Sequence, residues 1–105
     1  MEKSDLARFE AQAQIMKALS HPTRLLIVHE LAEGEKCVCE LTDVAGVDTS
    51  TISKHLSIMK NAGVVECEKR GTSIYYSLKM RCVLNFFVCA NEVLKKNAQK
   101  QMAFA

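Results

Sequence analysis

Cys37 and Cys39 stand one residue apart, next to Lys36, in a 105-residue chain that carries five cysteines. An odd set of this kind does not suit a secreted disulfide framework. In a reducing compartment, closely spaced thiols bind metal or do redox chemistry. A neighbouring lysine and a helix N-terminus both favour the thiolate, and thiolates are soft donors that select soft ions over magnesium, calcium or manganese. Cys67 reads instead as a small buried apolar residue. Cys82 and Cys89 are seven residues apart, on one helical face but about 10 Å apart along the axis. They therefore neither chelate one ion together nor form a disulfide with each other. At most one of them joins a Cys37/Cys39 site, with plain packing the equal alternative for both.

A second cluster is built of hydroxyls and cations: Thr49, Ser50, Thr51, Ser53, Lys54 and His55, followed downstream by Lys69 and Arg70. Hydroxyls bond phosphates or base edges, and Lys or His suits phosphates. The formal net charge is only +2, which is no argument for a polyanionic partner by itself. The distribution says more, because Lys54, His55, Lys60, Lys69 and Arg70 share one stretch while Glu30, Glu33, Glu35, Glu40 and Asp43 gather before it. A local basic surface meets what phosphate binding requires.

The elements that must position these residues follow from periodicity. Leu6, Phe9, Ala13, Met16 and Leu19 recur at helical spacing, with Ile15 beside them, and predict a first helix ending near Ser20. Pro22 suits the first turn of a second helix that carries Leu25, Leu26, Val28, His29, Leu31 and Ala32 and stops at Gly34. A short third helix runs from about Cys37 to Val44. After the turn 45–48, Thr49 or Ser50 caps a fourth helix within Asp48 to Gly63, with Ile52, Leu56 and Met59 as its buried stripe. Residues 64–69 and 73–78 read as two strands, with Arg70-Gly71-Thr72 as the turn between them. A last helix from about Met80 to Gln99 is apolar around much of its circumference, more than a monomer of this size readily covers, so a partner subunit is expected.

Helix, tight turn, helix and then a hairpin with a basic tip is the order of a winged helix-turn-helix, whose second helix enters the major groove by its N-terminal half. The fold class is thus mainly α with a β-hairpin wing: five helices and two strands in one domain spanning residues 1–105. Lys54 and His55 are expected on phosphates, and Arg70 at the wing tip on the backbone or minor groove. A composition 49% hydrophobic and 25% charged is that of a folded soluble protein. No apolar run has the length of a membrane span, and the N-terminus has no h-region, so a cytoplasmic location is expected. No Ser/His/Asp arrangement suggests an enzyme.

Leu19-Ser20-His21-Pro22-Thr23-Arg24-Leu25, Cys37-Val38-Cys39-Glu40-Leu41, Ser50-Thr51-Ile52-Ser53-Lys54-His55-Leu56 and Lys69-Arg70-Gly71 together resemble the ArsR/SmtB family over roughly residues 12–95. The resemblance implies a homodimeric repressor on a pseudo-palindromic double-stranded DNA operator, paired through its first and last helices and released by an inducer. The CxC segment is similar to the thiolate site of the family's arsenic and antimony sensors. It implies trivalent arsenite or antimonite as inducer, with Cys37 and Cys39 as metal ligands, Cys82 or Cys89 as a candidate third, and no permanent cofactor. Such sensors often carry another cysteine three residues on, where this chain has Thr42. Cadmium or lead fits less well, since residues 1–36 contain no cysteine, and the last helix has no His for a zinc-type site. His21 resembles a structural family residue, and His29 reads as a surface or core-edge residue.

Residues two apart on an ideal helix face about 200° from each other, so one ion grips both Cys37 and Cys39 only if the first turn is distorted. Inducer binding is therefore expected to deform the third helix and, through it, the reading helix. Two other readings stand beside this one. A cysteine of the third helix and one of the last helix form a disulfide or polysulfide link in a redox or reactive-sulfur sensor. Alternatively the chain is a thiol-based metal buffer or small oxidoreductase, against which no Cys-x-x-Cys with a βαβ pattern is present.

Overall fold

The computed structural model describes residues 1–104. Helix α1 (Lys3–Leu19) and α2 (Pro22–Ala32) precede a short strand β1 (Lys36–Cys37). Then follow α3 (Val38–Ala45), α4 (Thr49–Asn61), the hairpin β2 (Val65–Arg70) and β3 (Ser73–Leu78), and the long α5 (Val83–Phe104). This is the five-helix winged helix-turn-helix expected, with one addition. β1 pairs antiparallel with β3, Lys36 opposite Tyr76 and Cys37 opposite Tyr75, so the sheet has three strands in the order β1-β3-β2. A two-residue strand has no period to read, and its pairing partner lies about forty residues away in sequence.

The helix pair is held by one stripe. Ile52, Leu56 and Met59 of α4 are wholly buried against Ile27, Val28 and Leu31 of α2, Leu41 of α3 and the strand residues Val64, Val65 and Leu78. Asp48, not Thr49 or Ser50, caps α4: its carboxylate accepts the Thr51 N–H at 2.8 Å. Gly46 ends α3 with φ 68°, a left-handed C-cap that L side chains resist. The wing turns on two residues, Gly71 and Thr72. Arg70 is the last residue of β2, opposite Ser73, rather than part of the turn. Gly71 has φ 63°, as the first position of a II′ hairpin turn demands.

The outer helices are different. In α1 only Ala18 and Leu19 are buried, while Leu6, Phe9 and Met16 lie open. In α5, which begins at Val83 rather than Met80, Val83 enters the core and Leu84 and Phe87 lean on it. Beyond them Val88, Val93 and Leu94 are each more than half exposed. The radius of gyration is 16.5 Å, against about 13 Å for a compact domain of this length. The stripes read from the sequence are present, but this chain alone does not cover them.

Among the described residues no helix is long and apolar enough to cross a membrane. Leu56→Ala is expected to lower the free energy of unfolding by about 2–5 kcal/mol. A urea titration followed by circular dichroism checks it, and a loss under 1 kcal/mol would deny the α4 stripe its central place.

Candidate functional site

The cap at Asp48 fixes the start of α4, and the face it presents is polar. Thr49, Ser50, Ser53 and Lys54 are exposed and Thr51 is half-buried. Hydrogen bonds from Thr51 hold the Asp48 carboxyl below its ordinary value. Lys54, Lys60 and Lys69 are exposed and make no ion pair among the described residues.

His55 departs from the phosphate-contact role expected of it. It is half-buried; Arg24 Nε of α2 donates to its Nδ1 at 3.0 Å, and its ring centroid lies 4.4 Å from that of His21. Partial burial, then the neighbouring His21 and Arg24, hold its pKa below 6.5. His21 in turn caps α2, its Nδ1 accepting the Thr23 N–H at 3.0 Å. The same Arg24 guanidinium reaches the last carbonyls of α1, donating to Lys17 O at 3.4 Å and Ala18 O at 3.5 Å. A cation there also complements the helix dipole. Arg24 thus ties α1, α2 and α4 together. His29 sits where expected, at the edge, stacked on Phe87 with centroids 4.8 Å apart.

Arg70 is likewise engaged. It forms a two-pronged ion pair with Glu35, with Nη2 to Oε2 at 3.0 Å, and a further pair with Glu68 at 2.8 Å. Its guanidinium also lies over the Tyr75 ring, 5.0 Å from the centroid. The hydrogen bond to Arg70 keeps the Glu35 carboxyl below its ordinary value and raises that of Arg70. All three charges are solvent-exposed, so the cluster contributes little to stability; what it does is hold the wing arginine against the loop entering β1.

The thiol pair has a geometry that α-helical spacing does not give. Cys37 belongs to β1 and is extended, with φ −80° and ψ 164°, while Val38 is the first helical residue. Glu40 reaches back to accept the Cys37 N–H at 3.1 Å, which fixes the switch from strand to helix. The two sulfurs meet across this junction and are joined as a disulfide, with Cα atoms 5.4 Å apart. Cys37 thus stands outside α3 rather than in its first turn. Nor does the disulfide run to Cys82 or Cys89: Cys82, which sits in the turn just before α5 rather than on the last helix, and Cys89 are exposed and free, and Cys67 is half-buried opposite Tyr76.

Cys37 is buried and Cys39 exposed, and both line a cleft of about 360 Å³. Its other walls are Thr49 and Ser53 of α4 and Thr72, Ser73 and Ile74 of the wing. The Thr42 hydroxyl is spent on Val38 O at 2.8 Å. Among the described residues no three His, Cys, Asp or Glu side chains come together to hold a metal ion, so neither Cys82 nor Cys89 completes the pair within one chain.

The chain matches the profile for bacterial regulatory proteins of the arsR family over residues 21–66. It is 44% identical over 72 residues, 68% of this chain and 81% of the other, to the uncharacterized HTH-type transcriptional regulator MJ1325 of Methanocaldococcus jannaschii. It is 42% identical over 79 residues to a cadmium resistance transcriptional regulatory protein CadC homolog of Staphylococcus aureus, a match that takes in 72% of this chain and 65% of that protein. The fold matches the homodimeric winged helix-turn-helix DNA-binding domain of Mb0332 from Mycobacterium bovis with a TM-score of 0.80 and 28% identity. That match covers 95% of this chain and 93% of the other.

The buried His55 acceptor has a pH consequence. A folded pKa below 6.5 means that the unfolded chain takes up this proton first. Stability is therefore complete above pH 6.5 and declines as the pH falls from there through the lowered folded value. Urea midpoints between pH 7.5 and 5.0 should drop for the wild type and drop less for His55→Gln; parallel curves would refute the assignment.

Proposed function

The chain belongs to the ArsR family of bacterial regulatory proteins, and from that premise we propose that it is a homodimeric, cytoplasmic transcriptional repressor whose inducer is arsenite or antimonite, bound at Cys37 and Cys39. One observation carries the reading: the two sulfurs meet in a cleft walled by the reading helix and the wing. Reduced, the pair offers two soft donors at chelating separation. Arsenite, As(OH)₃, exchanges two hydroxides for the two sulfurs, releases two waters and keeps one hydroxide. Two protein thiolates suffice for that. The oxidised pair offers no thiolate, so the inducer acts only on the reduced protein.

Thr49, Ser50, Thr51, Ser53 and Lys54 are the proposed contacts of α4 to double-stranded DNA, with Lys69 on the wing. Arg70 joins them when a phosphate replaces Glu35. The homodimer is proposed to form through α1 and α5, whose open apolar faces flank a groove of about 420 Å³ between Met16, Leu25, Phe86 and Leu94. Two-fold symmetry then asks for a pseudo-palindromic operator. Cadmium is the second reading, supported by the resemblance to the CadC homolog. A softer divalent ion with a larger coordination number would need donors from the partner subunit, and Cys82 or Cys89 are the candidates.

Operator anisotropy under reducing conditions tests the assignment. Cys37→Ser and Cys39→Ser should bind DNA as the wild type does and fail to release it with arsenite, while Cys82→Ser and Cys89→Ser release it normally. Serine is itself a good N-cap, so Cys37→Ser keeps α3. Release by cadmium alone, abolished by Cys82→Ser or Cys89→Ser, would instead establish the second reading. Arg70→Gln should make the salt dependence of binding shallower by about one unit of slope per subunit; an unchanged slope would leave Arg70 off the DNA.

A further inference from the structure

We infer that inducer and DNA exclude each other directly, by competing for the one cleft between α4 and the wing, rather than through a deformation passed from α3 to α4. The inference rests on the reading of Cys37 and Cys39 as the inducer site and adds how that site is coupled to DNA. Three observations carry it. First, Cys37 is extended and lies outside α3, which begins at Val38, and the two sulfurs are within bonding reach across that junction. An ion held by Cys37 and Cys39 therefore spans the junction, and its binding does not require α3 to unwind.

Second, Thr49 and Ser53 line the thiol cleft and are also exposed residues on the N-terminal half of the reading helix. That half approaches the bases and phosphates in a helix-turn-helix complex. Thr72 and Ser73, across the cleft, belong to the wing turn and its edge. A duplex engaged by both elements runs its backbone over the mouth of the cleft. Third, Cys37 is buried and lines this cleft, so an ion that links it to Cys39 arrives through the same opening.

Exclusion and deformation differ in what a titration shows. A deformed but still bound repressor forms a ternary complex, and the loss of DNA affinity levels off, commonly at about 5–150-fold. Exclusion allows no ternary complex. The apparent Kd for DNA then rises in proportion to inducer with no plateau, and the DNA dissociation rate does not depend on inducer at all.

The experiment uses the reduced full-length protein, an operator duplex selected from a random pool, and sodium arsenite. Anisotropy titrations should show a proportional rise in apparent Kd beyond 150-fold, and stopped-flow dissociation should be flat in arsenite. In parallel, saturating operator should slow iodoacetamide alkylation of Cys37 and Cys39 at least tenfold, with the exposed Cys89 as an internal reference. A plateau with arsenite-accelerated dissociation overturns exclusion while leaving the inducer site intact. Absence of arsenite binding to the free protein removes the inducer assignment instead. In that case alkylation still decides: protection supports the shared cleft, and undiminished alkylation overturns it.

Discussion

The pairing of Lys36 and Cys37 with Tyr76 and Tyr75 is the constraint from which the rest of the site follows. It makes the segment that carries Cys37 the third strand of the wing's own sheet. Because Cys37 must be extended to keep that ladder, α3 cannot begin before Val38, and the two cysteines fall on either side of a strand-to-helix junction. Their sulfurs meet for that reason alone. β3 lies between β1 and β2, and the Arg70 side chain reaches across the β3 residue Tyr75 to meet Glu35 ahead of β1. β1, the wing and the wing arginine are therefore tied together.

The energies within that unit are unequal. The Arg70 cluster is exposed, and pairs of this kind contribute about 0–1 kcal/mol. A phosphate can take the arginine from Glu35 at little cost, so the ion pair sets the idle position of the side chain and does not lock it. The α4 stripe is of another order, since each wholly buried side chain removed costs several times as much. Arg24 stands between the two. It links three helices through hydrogen bonds to one ring nitrogen and two carbonyls. Reader and wing are thus fixed rigidly to the core, while the charges at their edges are held loosely.

Much of this was legible in the sequence, and what was not has physical reasons. The bounds of β3, the stripe of α4 and the order of elements came from periods long enough to be counted. The role of His55 was also present in the pattern: Ile52, His55, Leu56 and Met59 fall at i, i+3, i+4 and i+7, one face of the helix. His55 is the neighbour of Lys54 in sequence and of Leu56 in space, and its half-buried ring bonds to Arg24 of α2. β1 carried no such signal, because two residues have no period and their partner is distant. The geometry of Cys37 and Cys39 depended on β1, so it could not be read from a spacing measured on an ideal helix.

The outer helices complete the argument from the opposite direction. Leu6, Phe9 and Met16 in α1 and Val88, Val93 and Leu94 in α5 are apolar and uncovered. The chain's radius of gyration exceeds that of a compact domain by several ångströms. The core that positions the reader is finished within one chain, from Leu19 to Val83, whereas the helices on either side of it are not. Folding of the reader and placement of two readers on one duplex are therefore separate problems in this architecture. The first is solved by the stripe on α4 and the second by whatever covers α1 and α5. The thiol cleft lies wholly on the first side of that division, among α3, α4 and the wing, away from the uncovered faces of α1 and α5.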